Sequence, residues 1–184
     1  MRRGMTALAL AAAIAAPAAA QTVAPPAVST PPPAAVATPE AILAATYAVI
    51  SGPAGQPRDW ARLRGLFVPG GMLEAAGKAK DSNEIHARML TVDEYAANAA
   101  KLMAATGFYE HGAIGHVWRY ANIASVTSPY ESRHAPGEAP FARGINVFQL
   151  MNDGTRWWVV SIFWEGETPA SPLPPEAEAA LKAK

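Results

Sequence analysis

The sequence predicts an α+β fold: a curved antiparallel sheet of four long strands plus a short hairpin, packed on three N-terminal helices. Three observations carry this. Helix-capping residues precede three apolar stripes before Gly107, strand-like alternation replaces helical spacing after it, and Asn152-Asp153-Gly154 supplies a tight turn between the last two apolar runs. Helices followed by strands, rather than alternating with them, place the helices on one face of an antiparallel sheet.

The first helix starts at Thr38-Pro39-Glu40, with a hydroxyl cap, a proline at the first helical position and an acid in the first turn. Leu43, Tyr47 and Ile50 share one face before Gly52 stops it. The second opens at Asp59 and sets Trp60, Leu63 and Phe67 on one face before Pro69-Gly70-Gly71. A hairpin of 72–77 and 84–90 is expected around a polar turn at 78–83. Thr91-Val92-Asp93-Glu94 is a capping box, followed by the stripe Tyr95, Ala99, Leu102. The long strands are expected at 108–120, 123–134, 141–151 and 156–165, with a weaker turn at Ala121-Asn122.

The ends read differently. Arg2 and Arg3 precede an uncharged Ala-rich run closing on Ala18-Ala19-Ala20, the pattern of a cleavable secretory signal over 1–20. Its apolar stretch is shorter than the roughly 20 residues a membrane-spanning helix needs. A periplasmic or secreted protein, cleaved near Ala20 and without an integral membrane segment, is the expectation. Residues 21–39 read as a Pro/Ala-rich linker biased to polyproline II, 40–167 as the folded domain and 168–184 as a Pro-rich tail ending in a short Ala/Glu/Lys helix. All fifteen aromatic residues lie between Tyr47 and Trp164, where a core would need them.

Composition removes much chemistry. With 15 basic and 15 acidic side chains, the chain has no excess charge for a nucleic-acid backbone, and with no cysteine it has no disulfide, thiol nucleophile or thiolate-bound metal. His86, His111, His116 and His134 lack a short metal-ligand spacing, and Gly70-Gly71 is not followed by a phosphate-binding motif. Neither a metal nor a cofactor is expected.

The Tyr47 helix, the run "DWARLRGLFVPG", the capped third helix and the closing "FARGINVFQLMNDGTRWWVVSIFWE" hairpin resemble the nuclear transport factor 2-like fold. Within it, "GFYE", "YESR" and "RWWVVSIFW" are most similar to the SnoaL-like group of small, secreted, mostly uncharacterised bacterial proteins. The resemblance spans about 45–166. It implies a cone-shaped pocket and frequent dimerisation, on a fold that hosts ketosteroid isomerases, polyketide cyclases, dehydratases, hydrolases and plain binding subunits. The position matching the isomerase base is Ala75, with Glu74 one step away on the opposite strand face, which disfavours that mechanism.

Counting outward from a two-residue turn at Ala121-Asn122 pairs Tyr120 with Ile123, Trp118 with Ser125, His116 with Thr127 and Glu110 with Arg133. On this register Glu110, His116, Trp118, Tyr120, Glu131 and Arg133 share one face, an acid, a base and aromatic walls suited to a small-molecule pocket. His116 is the expected acid/base, with Glu110 beside it. Glu131, Arg133, Trp118, Tyr120 and Tyr47 are expected ligand contacts, with Arg143 either clamping a ligand carboxylate or stacking on Trp164. The competing reading is a structural Glu110–Arg133 ion pair with His116 hydrogen-bonded to Thr127. In the last hairpin the Asp153-Gly154 turn pairs Gln149 with Trp158 and Arg143 with Trp164. Both faces of that hairpin are apolar, so the outer one is expected to meet a second copy in a homodimer. The expected function is binding of a small hydrophobic molecule, with cofactor-independent acid/base catalysis as the alternative.

Overall fold

The computed structural model describes residues 25–78 and 84–183; the expected signal segment and most of the 78–83 turn lie outside them. In chain order, a 3-10 turn at Pro33–Val36 leads into α1 (Pro39–Ile50), α2 (Trp60–Leu66), β1 (Phe67–Lys78), β2 (Ile85–Thr91) and α3 (Val92–Ala105). Then come β3 (Tyr109–Gly112), β4 (Val117–Tyr120), β5 (Ile123–Arg133), β6 (Ala142–Asn152), β7 (Trp157–Gly166) and α4 (Pro175–Lys182). The expected α+β architecture is what forms: one curved sheet in the order β2-β1-β7-β6-β5-β3, with β4 also paired to β5.

The three helix starts are built from the predicted caps. The Thr38 and Asp59 side chains accept from Ala41 N and Arg62 N at 3.1 and 2.8 Å. Thr91 and Glu94 complete a reciprocal capping box. The end of α1 has a less ordinary solution, because Arg58 is buried beneath it with no carboxylate partner among the described residues. Its guanidinium donates to the carbonyls of Ile50, Gly52, Pro53 and Gln56 at 2.5–3.2 Å. One cation thus satisfies acceptors that a helix C-terminus leaves open.

Four local readings are corrected. Phe67 does not extend α2; it opens β1, which pairs in parallel with β7, so the second helix ends one residue earlier and the strand runs through Pro69-Gly70-Gly71. The strand expected over 108–120 is broken. Tyr120 does face Ile123 and Trp118 does face Ser125, yet Glu110 faces Ser132 rather than Arg133. Between the pairs Gly112–Tyr130 and Val117–Val126, residues 113–116 oppose only 127–129, a one-residue bulge. Pro129 sits in that stretch without an N–H to donate, which favours an irregular ladder there.

The last hairpin closes over 153–156 rather than two residues. The Asp153 carboxylate accepts from the backbone of Thr155 and Arg156 and from Trp158 Nε1, which holds it well below the usual carboxylate range. Trp158 therefore faces Met151. A second irregularity at Val160 then turns Ile162 toward Phe148 and Trp164 toward Asn146, so Arg143 has no Trp164 opposite it. The arginine stacks are Arg119 over Trp157 and Arg156 over Trp158.

The core lies between the helices and the inner sheet face, where Ala124, Val126, Ser128, Tyr130 and Ser132 of β5 alternate with Asn146, Phe148 and Leu150 of β6. Both Pro-rich ends lie on this body. Ser29 N donates to Ala61 O at 3.0 Å and Val36 joins the core, while Leu173 and Ala177 are buried at the other end.

Candidate functional site

The bulge at 113–116 decides where the chemistry goes. By shifting β3 one residue against β5, it turns Glu110 to the inner face and leaves Tyr109 and His111 on the side of Arg133 and Glu131. The Glu110 carboxyl accepts from Ser132 Oγ at 2.8 Å and from Asn146 Nδ2 at 3.4 Å. Its main-chain N–H donates to Ser51 Oγ at the end of α1. Burial pushes its pKa up to about 7, partly opposed by those two hydrogen bonds.

Tyr47 stands beside it on α1, buried, with its ring edge-on to Phe148. Asn146 Nδ2 donates to the Tyr47 hydroxyl at 3.1 Å, and Tyr47 lies 2.7 Å from Ser128 Oγ. Since Ser128 gives its own proton to Ala113 O, Tyr47 is the donor to Ser128. Asn146 thus holds both the phenol and the carboxyl. Burial raises the pKa of Tyr47, and of Tyr130 to about 12, so both phenols are proton donors at neutral pH. Gly112 allows this packing, because a Cβ there would lie 2.3 Å from the Tyr47 ring.

Two spaces meet at this pair. The inner one, toward Tyr95, Tyr130 and Trp164, has a volume of about 70 Å³, room for about two waters and not for an apolar ligand. The outer one is a cleft of about 820 Å³ at the open end of the cone, walled by Tyr47, Tyr109, Glu110, Arg133, Arg143 and residues of α4. Glu110 and Tyr47 border both. Half-buried and next to an open cleft, the Glu110 carboxyl is placed to take or give a proton near neutral pH.

The predicted residues therefore divide. Glu110 and Tyr47 meet in the interior, while Glu131, Arg133 and Arg143 line the cleft beside them. Arg133 is paired with Glu131 and donates to Glu138 O at 2.7 Å. His116 is not among them: it lies in the bulge, exposed, and bonds Thr127 through its main chain, with its N–H on Thr127 Oγ1 at 2.7 Å. Trp118 and Tyr120 sit on the outer sheet face, 52% and 70% exposed. Sequence reasoning missed Asn146, Ser128 and Ser132 as site residues. Their signal was present as polar residues at the inward positions of otherwise apolar strands, where a buried polar group needs a partner.

No protein-family model matches the sequence, and no curated protein matches it. Solved structures do. A protein from Thiobacillus denitrificans described as a calcium/calmodulin-dependent protein kinase type II association domain is 16% identical, with 78% of this chain and all of that one covered and a TM-score of 0.53. A Mycobacterium tuberculosis protein of unknown function is 11% identical over 78% of this chain and 82% of that one, at 0.54. A nuclear transport factor 2-like protein of unknown function from Shewanella baltica is matched at 14% identity over 69% and 89%, at 0.43. At identities this low the likeness establishes the fold and nothing finer: the chain shares with the first two structures an α+β fold, here helices packed on one curved sheet.

Proposed function

We propose that this chain is an exported, SnoaL-like small-molecule-binding protein whose largely hydrophobic ligand lies in the cleft over Glu110 and Tyr47. The observation that carries this is the cleft of about 820 Å³ bordered by Glu110 and Tyr47, both of which Asn146 holds from the inner side. Tyr47, Tyr109 and Leu181 offer it apolar surface, and the Glu110 carboxyl offers a polar contact. Export rests on the Arg2-Arg3 and Ala-rich leader. The test is mass spectrometry of small molecules that co-purify with the mature protein, compared with an Ala48→Trp variant that fills the cleft from α1. A molecule retained by the native protein and absent from the variant is expected; identical profiles overturn the reading.

A second reading, cofactor-independent acid/base catalysis, is favoured by the Glu110 carboxyl, whose pKa near 7 suits proton transfer. It predicts turnover of the bound molecule by the native protein and none by Glu110→Gln. Trp118, Tyr120, Ile123 and Phe163, all 41% exposed or more on the outer face, support a homodimer through the sheet. In that case Trp118→Glu sediments as a monomer where the native chain sediments as a dimer.

A further inference from the structure

Arg143 is ringed by carboxylates in the cleft without a close bond to any of them. Three carboxylates reach it from three parts of the chain: Glu131 to Nε at 3.5 Å, Glu167 to Nη1 at 3.2 Å and Glu178 to Nη2 at 3.4 Å. Only the Glu178 contact has hydrogen-bond geometry, and the buried Nε makes no hydrogen bond among the described residues. A guanidinium with five donors is designed for a planar carboxylate accepting two of them at about 2.7–2.9 Å. None of the three supplies that.

The three differ in what else they do. Glu131 is engaged by Arg133, and Glu167 accepts from Leu173 N at 2.9 Å, so both are committed elsewhere. Glu178 belongs to α4, which has no side-chain N-cap and follows a stretch containing Pro169, Pro172 and Pro174. Its other oxygen is held by Lys182 at 3.1 Å, one turn along the same helix. Glu178 can therefore leave Arg143 together with its own counter-ion, without stranding a charge.

Taking the cleft as the ligand site proposed above, we infer that Arg143 is the seat for a carboxylate on the ligand, and that Glu178 occupies this seat in the free protein as an internal competitor. The ligand class is then an amphipathic carboxylic acid, its apolar body against Tyr47 and Tyr109 and its head group replacing Glu178. α4, whose Leu181 and Lys182 also line the cleft, shifts as Glu178 is displaced.

The test uses the mature full-length chain with two probes of equal shape, 2-naphthoate and the neutral 2-naphthamide, followed by NMR of the cleft residues and of the Arg143 Nε–H signal. Naphthoate is expected to bind more tightly than the amide and to shift that signal. Removing a half-exposed competing ion pair with Glu178→Gln should tighten naphthoate about two- to fivefold and leave the amide unchanged. Arg143→Lys, which keeps the charge and loses the fork, should abolish the preference. Equal binding of the two probes, or no response to Glu178→Gln, overturns the inference while leaving the cleft as a binding site. Failure of both probes to perturb any cleft residue overturns the cleft reading itself, and the carboxylate seat with it.

Discussion

Asn146 on β6 and Glu110 on β3 meet inside the cone, with the Asn146 amide 3.4 Å from the Glu110 carboxyl and 3.1 Å from the Tyr47 hydroxyl. Among the described residues, the side-chain partners of this carboxyl are the neutral Ser132 and Asn146. The carboxyl is therefore held by neutral donors in a desolvated place, the condition under which protonation becomes favourable.

That condition makes stability depend on pH in a definite direction. The Glu110 pKa rises from 4.5 to about 7 on folding, so between these values the native state holds a proton that the unfolded chain has released. Its contribution is complete below about pH 4.5 and is lost as pH rises through 7, to the extent of about 3 kcal/mol. Urea midpoints measured from pH 4 to 8 should fall across that window, and Glu110→Gln should flatten the fall. A variant with the native slope would contradict the assignment.

Gly112→Ala should disturb the same cluster from the other side. The added methyl would lie 2.3 Å from the buried Tyr47 ring, so the ring cannot keep its place between Ser128 and Asn146. A loss of about 1–3 kcal/mol in chemical denaturation is expected for such overpacking. Combined with Tyr47→Ala, the substitution should cost much less than the sum of the two single changes.

Arg58→Met should be costly far from any ligand. It removes a donor from four carbonyls around the end of α1; Gly52 O keeps Phe108 N, while the buried Ile50 O loses its side-chain partner, a loss of about 1–3 kcal/mol. Lysine, without the planar fork, should recover little of this. Thermal unfolding of the two variants checks both statements.

Gly65→Ala should release the Pro-rich segment before α1. A Cβ at Gly65 would lie 1.9 Å from Ser29 O, so helix and segment cannot keep their present spacing. Limited proteolysis should cut near residue 29 faster in the variant, with the sheet's amide protection unchanged. Equal cleavage rates would show that this contact does not hold the segment.

Much of this architecture was legible in the residues because it depends on local chemistry. The caps at Thr38, Asp59 and Thr91 need only their own first turns, and all three formed as read. The Ala121-Asn122 turn also set its neighbours correctly. What failed was propagation. One extra residue at 113–116 moved Glu110 from beside Arg133 to the interior, and the longer turn at 153–156 with the irregularity at Val160 moved Trp164 away from Arg143. A strand alternates with period 2, so a single insertion reverses every assignment beyond it. Glu110 and Tyr47 line the cleft while His116 does not, because Glu110 and His116 lie on different sides of that insertion and their shared face was inferred through it.

The parallel pairing of β1 with β7 has a consequence for the life of the chain. The sheet's first long strand finds its central neighbour only in the last strand made, so the β1–β2 hairpin and the β3–β6 half of the sheet are joined only by β7. Contacts of such wide separation close slowly. The interior is therefore completed only once β7 has been made and has reached β1.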